Sequence, residues 1–259
     1  MDTRICVINL KGGVGKSVTT INLADCFARR GRRVLVVDLD KQANTTKYYN
    51  MLDYTASDVG DVLTGKVEAA KALRSTGEQD IMLLPANMSL LNANREIMLD
   101  TLHPQQCRLR DALDSIDGVF DVVLMDCPPD LDMGAINALC AADWVLVPVD
   151  CDEWAADGLS IVMEQIESIR TYYNHGLKIL GVLITKYRPT NYARRIISDI
   201  ARTCPVMQTG IRFTVKVAEA TASHQPLYLF ARGSTAAQDY DALCDEIIER
   251  VHDGHREGN

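Results

Sequence analysis

The chain has 259 residues, 47% hydrophobic and 24% charged side chains and a formal net charge of −8, a balance that supports a sizeable core and excludes intrinsic disorder. No run approaches the roughly 18 apolar residues a membrane span needs, and no secretory h-region opens the sequence, so a soluble cytoplasmic protein is expected. Eight cysteines lie scattered in apolar segments without a C-x-x-C pair, which excludes a disulfide frame or zinc site and makes them reduced core residues.

Short runs rich in Val and Ile recur at Ile5–Ile8, Val34–Val37, Ile81–Leu84, Val122–Met125, Val145–Val149 and Ile179–Ile184. Their near-continuous hydrophobicity predicts strands buried on both faces, hence a mainly parallel sheet. Helical periodicity falls between and after them, over Lys16–Arg30, Ser89–Leu99, Gln105–Ile116, Ala135–Ala141, Asp157–Tyr173, Tyr192–Arg202 and Ala236–Val251. The expected fold is α/β, a doubly wound, mainly parallel sheet flanked by helices. No linker or repeat divides the chain, so one nucleotide-binding domain is expected over residues 1–252, with a polar tail over 253–259.

The first strand runs into Lys11-Gly12-Gly13-Val14-Gly15-Lys16-Ser17 and then into a helix beginning with Val18. Glycines allow backbone N–H groups to approach phosphates, and the helix dipole favours an anion at its N-terminus. Lys16 is then placed to reach β/γ oxygens and Ser17 to ligate Mg²⁺. The common G-x-x-x-x-G-K-[ST] pattern fails, because Leu10 holds its first glycine position and a second lysine stands at Lys11. A plain glycine-rich turn is the alternative, and two further strand ends weigh against it. The second strand ends in Asp38-Leu39-Asp40-Lys41-Gln42 and the fourth in Asp126-Cys127-Pro128-Pro129. Both put carboxylates where open α/β sheets bind ligands, with Asp126 suited to hold Mg²⁺ through water. ATP and Mg²⁺ are the expected cofactors, bound by Gly12, Gly13, Val14, Gly15, Lys16, Ser17 and Val18.

These three motifs resemble the deviant Walker A, A′ and B motifs of the ParA/MinD ATPases, and the likeness continues through Leu84-Pro85-Ala86-Asn87 and Ala218-Glu219-Ala220. The resemblance implies an ATPase that dimerises on ATP. It implies that Lys11 reaches the partner's phosphates and that Asp40 positions or activates the attacking water, so Lys11, Lys16 and Asp40 form the catalytic set. A trans lysine would neutralise charge developing in phosphoryl transfer, as an arginine finger does. This chain departs from the family at Val18, where Thr is usual, and at Arg212-Phe213, where Pro-Arg is common near the base. After Pro129, Asp130 and Asp132 add carboxylates that either slow turnover or face solvent.

From Lys178 to Lys216 eight basic residues stand against one acid, Asp199, giving 8 − 1 = +7 in an acidic chain. Such a surface fits sequence-independent DNA binding, with Lys186, Arg188, Arg194, Arg195 and Lys216 as the expected contacts. The ParA branch implies a homodimer on non-specific DNA, associated with the nucleoid, released when a ParB-like or other adaptor stimulates hydrolysis. The rival is a MinD-like membrane-cycling or other positioning ATPase, which would use a basic amphipathic C-terminal helix. Here Ala242–Val251 carries three acids and one base, so no stable membrane association is expected. A nitrogenase-iron-protein-like carrier would need cluster cysteines, and a dehydrogenase would need G-x-G-x-x-G, which is missing.

Overall fold

The computed structural model describes residues 2–152 and 155–256. Strand β1 (Thr3–Val7) is followed by α1 (Lys16–Arg29), and β2 (Val34–Asp38) by the short helices α2 (Asn44–Tyr48), α3 (Val59–Leu63) and α4 (Ala69–Ala72). The pair β3 (Arg74–Ser75) and β4 (Ile81–Leu84) leads to α5 (Leu90–Leu99) and α6 (Arg108–Asp114). Then come β5 (Val122–Asp126), α7 (Met133–Ala141), β6 (Trp144–Asp150), α8 (Ala155–Tyr172) and β7 (Lys178–Thr185). The chain closes with α9 (Asn191–Ile200), α10 (Val215–Ala222), α11 (Leu227–Ala231) and α12 (Thr235–Arg256).

The strands form one seven-stranded sheet in the order β3-β4-β2-β5-β1-β6-β7. Every neighbouring pair is parallel except β3 with β4, so the mainly parallel, doubly wound arrangement expected from the apolar runs is the one observed. Successive side chains along a strand enter opposite core layers. Cys6, Leu35 and Val37 pack with Leu90, Leu109 and Val162, whereas Ile5, Val34 and Val36 pack with Leu23, Phe27 and Leu243. Burying each such aliphatic side chain contributes about 1.5–3 kcal/mol, and this is why strands with two covered faces carry no polar alternation.

Three local differences from the sequence reading have physical causes. The helix expected over Gln105–Ile116 shrinks to α6, because Asn137 takes both the Leu109 N–H and the Gln105 carbonyl, at 3.1 and 2.8 Å. In α7 the helix starts at Met133 instead of Ala135, since Asp132 caps it by accepting the Ala135 N–H at 3.0 Å. The tail expected from Asp253 is helical through Arg256, with Lys178 Nζ donating to the Gly254 carbonyl at 2.7 Å. Residues 257–259 of that tail lie outside the described residues. Helix α12 buries Leu243, Cys244 and Ile247 against the sheet, so its apolar face is already covered. All eight cysteines are free thiols, five buried and three half-buried.

Candidate functional site

The strand order reverses beside β1, whose neighbours are β5 on one side and β6 on the other. A crevice opens there beyond the carboxyl ends of the strands, and the segment from Ile8 to Gly15 crosses it. Gly13 and Gly15 hold φ values of 75° and 90°, left-handed conformations that glycine adopts without a Cβ penalty. Asn9 anchors the start of this loop, donating to the Pro148 carbonyl at 2.8 Å and accepting the Lys11 N–H at 2.9 Å. Thr185, at the end of β7, donates to the Val14 carbonyl at 2.8 Å. Among the described residues no side chain caps the N-terminus of α1, which leaves its first amides and positive dipole end available to an anion.

A cavity of about 790 Å³ lies on this loop, lined by Gly12, Gly13, Gly15, Lys16, Ser17 and Val18. Asp40, Thr185, Lys186 and Phe213 also face it. Val14 is buried beneath the loop instead. Lys16 is 7% exposed, and its ammonium donates to the Lys11 carbonyl at 3.0 Å. Burial lowers the Lys16 pKa, and the nearby Asp126, Cys127 and Asp40 work in the opposite direction. A buried cation held among carboxylates, with one weak protein acceptor, is suited to take an anionic ligand.

The carboxylates that end β2 and β5 lie side by side. Asp38 and Asp126 are register partners on β2 and β5, both fully buried. Asp38 accepts the Asp40 N–H at 3.1 Å, and from Thr46 both the N–H at 2.8 Å and the hydroxyl at 2.7 Å. Asp126 accepts the Thr45 hydroxyl at 2.7 Å through Oδ2, while its Oδ1 is buried without a hydrogen-bond partner among the described residues. Burial raises both carboxyls; Asp126 adds to the effect on Asp38, and the Thr45 and Ser17 hydroxyls and Lys16 oppose it at Asp126. An orphaned carboxylate oxygen beside a serine hydroxyl fits a hydrated divalent cation, which prefers oxygen ligands and retains its water. Asp40 reaches the cavity wall and accepts the Gln42 N–H at 2.9 Å. Thr45, Thr46 and Thr185 were not singled out from the sequence, although the Thr45-Thr46 pair stands just two residues beyond the Asp38–Gln42 motif.

Lys11 points elsewhere. Its ammonium pairs with Asp152, just beyond β6, and it does not line the cavity. Of the two extra carboxylates, Asp132 is occupied as the α7 cap and also accepts the Asn94 amide at 2.7 Å. Asp130 pairs with Lys41 at 2.7 Å.

The structure divides the five basic candidates. Arg188 stacks over Phe213, its guanidinium carbon 4.0 Å from the ring centroid. Arg194 and Arg195 are exposed on α9, which Thr190 caps by accepting the Ala193 N–H at 3.1 Å. Lys216 is held by Glu219 at 2.7 Å. Lys186 is exposed, with its ammonium on the Gly13 carbonyl at 2.8 Å and 3.3 Å from Asp150. Within the same segment, Arg202 pairs with Asp199 and Arg212 with Asp239, so the net +7 is partly neutralised locally.

An AAA-domain family model matches residues 2–179. The sporulation initiation inhibitor protein Soj of Bacillus subtilis is 33% identical over 247 residues, covering 94% of this chain and 97% of its own. The chromosome partitioning protein ParA of Caulobacter vibrioides is 34% identical over 255 residues, covering 96% and 95%. Among solved structures, cobyrinic acid a,c-diamide synthase from Mycobacterium smegmatis, with bound ADP and magnesium, aligns with a TM-score of 0.87 at 32% identity, over 98% of this chain and 97% of that one.

Proposed function

This chain belongs to the ParA/Soj family of ATPases, and from that premise we propose that it is a partition ATPase whose ATP-bound dimer binds DNA without sequence preference. The observation that carries the reading is the convergence of Lys16, Ser17 and Asp40 on one cavity at a helix N-terminus, with the orphaned Asp126 oxygen buried beside Lys16 and Ser17. Lys16 and the loop amides hold the phosphates of ATP. Ser17, and Asp126 through water, hold Mg²⁺, which when bound offsets charge on the phosphoryl oxygens. Asp40, at the cavity wall and in no ion pair among the described residues, orients the attacking water and accepts its proton.

Lys11 acts across the dimer, and to do so it leaves Asp152. Charge delivered by a second copy makes hydrolysis conditional on pairing. Arg188, Arg194 and Arg195 form the DNA surface, because they cluster at the start of α9 with side chains not committed to carboxylates among the described residues. One copy of this patch works against a chain of net charge −8. Two copies make the second contact effectively intramolecular. DNA binding is therefore dimer-dependent, and a ParB-like adaptor that stimulates hydrolysis releases it. We place the protein in the cytoplasm, on the nucleoid when ATP-bound.

The membrane-cycling alternative asks α12 to offer an apolar face to lipid, but that face packs on the sheet, with Arg250 donating to the Leu180 and Val206 carbonyls at 2.9 and 3.0 Å. No helix among the described residues is long and apolar enough to cross a membrane. The test is the ATPase rate with duplex DNA, with anionic vesicles and with neither. Stimulation by DNA alone supports the proposal, and stimulation by vesicles alone replaces it with the membrane reading.

A further inference from the structure

Lys186 directly follows β7 and holds φ 51°, a left-handed conformation uncommon for a residue with a long side chain. Such outliers persist where the surroundings make use of them. Its ammonium donates to the Gly13 carbonyl at 2.8 Å and is steadied by Asp150 at 3.3 Å. The preceding residue, Thr185, donates its hydroxyl to the next loop carbonyl, that of Val14, at 2.8 Å. Two consecutive residues of one strand end thus hold two consecutive carbonyls of the glycine loop.

A loop that turns its N–H groups toward an anion must turn the matching carbonyls outward. The Gly13 carbonyl shares a peptide plane with the Val14 N–H, and a cation on the oxygen polarises that peptide, making the N–H a stronger donor. Lys186 is also tied to the far wall of the cavity. The adjacent Tyr187 N–H donates to the Ile211 carbonyl at 2.8 Å, and the Phe213 N–H donates to the Tyr187 carbonyl at 2.9 Å. Lys186 and Phe213 both line the cavity, so one residue links the loop to the segment facing it.

We propose that Lys186 is a positioning residue of the nucleotide site, bracing the Gly13 carbonyl so that the Val14 amide is presented to a phosphate group, and that it is not a DNA contact. The proposal rests on reading this cavity as a nucleotide site. A brace on the loop serves the phosphates that ATP and ADP share, so it affects both nucleotides alike. It differs from Lys16, whose own charge meets the ligand.

The test compares Lys186→Met, which keeps the aliphatic stem without the charge, with Lys186→Arg, which keeps a cation within reach of the carbonyl. Calorimetry with Mg-ATP and with Mg-ADP should show Lys186→Met weakening both by the same factor, roughly tenfold for a charge-assisted bond to a half-exposed group. Lys186→Arg should recover most of that loss. The melting temperature without nucleotide should stay within about 2 °C of wild type, since a half-exposed ion pair adds little stability. Wild-type affinity of Lys186→Met for both nucleotides overturns the proposal. So does a loss confined to DNA binding, or a large fall in melting temperature that Lys186→Arg does not repair. A wild-type chain that binds neither nucleotide overturns the nucleotide-site reading itself, and this inference with it.

Discussion

Replacing Asp152 by Asn removes the carboxylate that holds Lys11 within its own chain while keeping the size of the side chain. The Lys11 and Asp152 side chains are 36% and 40% exposed, so solvent screens the pair and it contributes about 0.5–1 kcal/mol. An ATP dimer using Lys11 in trans breaks two such pairs, one from each copy, which costs about 1–2 kcal/mol of association energy. Freed of that cost, Asp152→Asn should dimerise with ATP roughly 5- to 30-fold more tightly than wild type. Sedimentation velocity with a non-hydrolysable ATP analogue reads this directly, and the gain should shrink as salt rises and screens the pair. Because the effect acts through Lys11, it should vanish in a Lys11→Ala background, a coupling that a double-mutant cycle exposes. An Asp152→Asn variant that dimerises no better than wild type at low salt refutes the reasoning. A gain that persists without Lys11 refutes it equally.

Lys16→Ala should abolish Mg-ATP binding by calorimetry, since the cavity loses its buried cation; binding at wild-type strength would remove Lys16 from the site. Asp40→Ala should depress turnover far more than nucleotide affinity and accumulate as the ATP-bound dimer, and normal steady-state hydrolysis would end its assignment to the water. Asp132→Ala should lower stability in urea by about 1–2 kcal/mol, through loss of the α7 cap and the Asn94 bond, with kcat within about threefold. A strong change in kcat at unchanged stability would return Asp132 to the chemistry.

Much of this architecture was legible because burial on both faces leaves a direct trace. Val34–Val37 and Val122–Met125 carry no polar alternation, and both are central strands. The placement of the strand-end carboxylates was equally readable, since Asp38 and Asp126 end register-paired strands and Asp40 follows at the cavity wall. Short elements were not. β3 has two residues and α2, α3 and α11 have five each, too few for a period to show. Tertiary partners were also hidden. That Lys11 meets Asp152 and Lys186 meets Gly13 depends on β6 and β7 ending beside the loop, which no spacing in the chain records. Arg212 in the basic segment shows the same effect, since its partner Asp239 lies far along the chain, whereas Lys216 meets Glu219 only three residues on, just past the counted segment.

The central claim, an ATP-gated DNA surface at the start of α9, is tested most directly by fluorescence anisotropy on two unrelated duplexes. The protein is titrated with a non-hydrolysable ATP analogue, with ADP and with no nucleotide, over a series of salt concentrations. The account predicts binding only with the ATP analogue, equal for both sequences and falling steeply with salt as phosphate contacts release counterions. In Arg188→Glu, Arg194→Glu, Arg195→Glu combined, that binding should disappear while calorimetric ATP affinity remains, because none of the three lines the cavity. Equal DNA binding with ADP and with the ATP analogue would contradict the account, and so would wild-type DNA affinity in the triple variant at low salt.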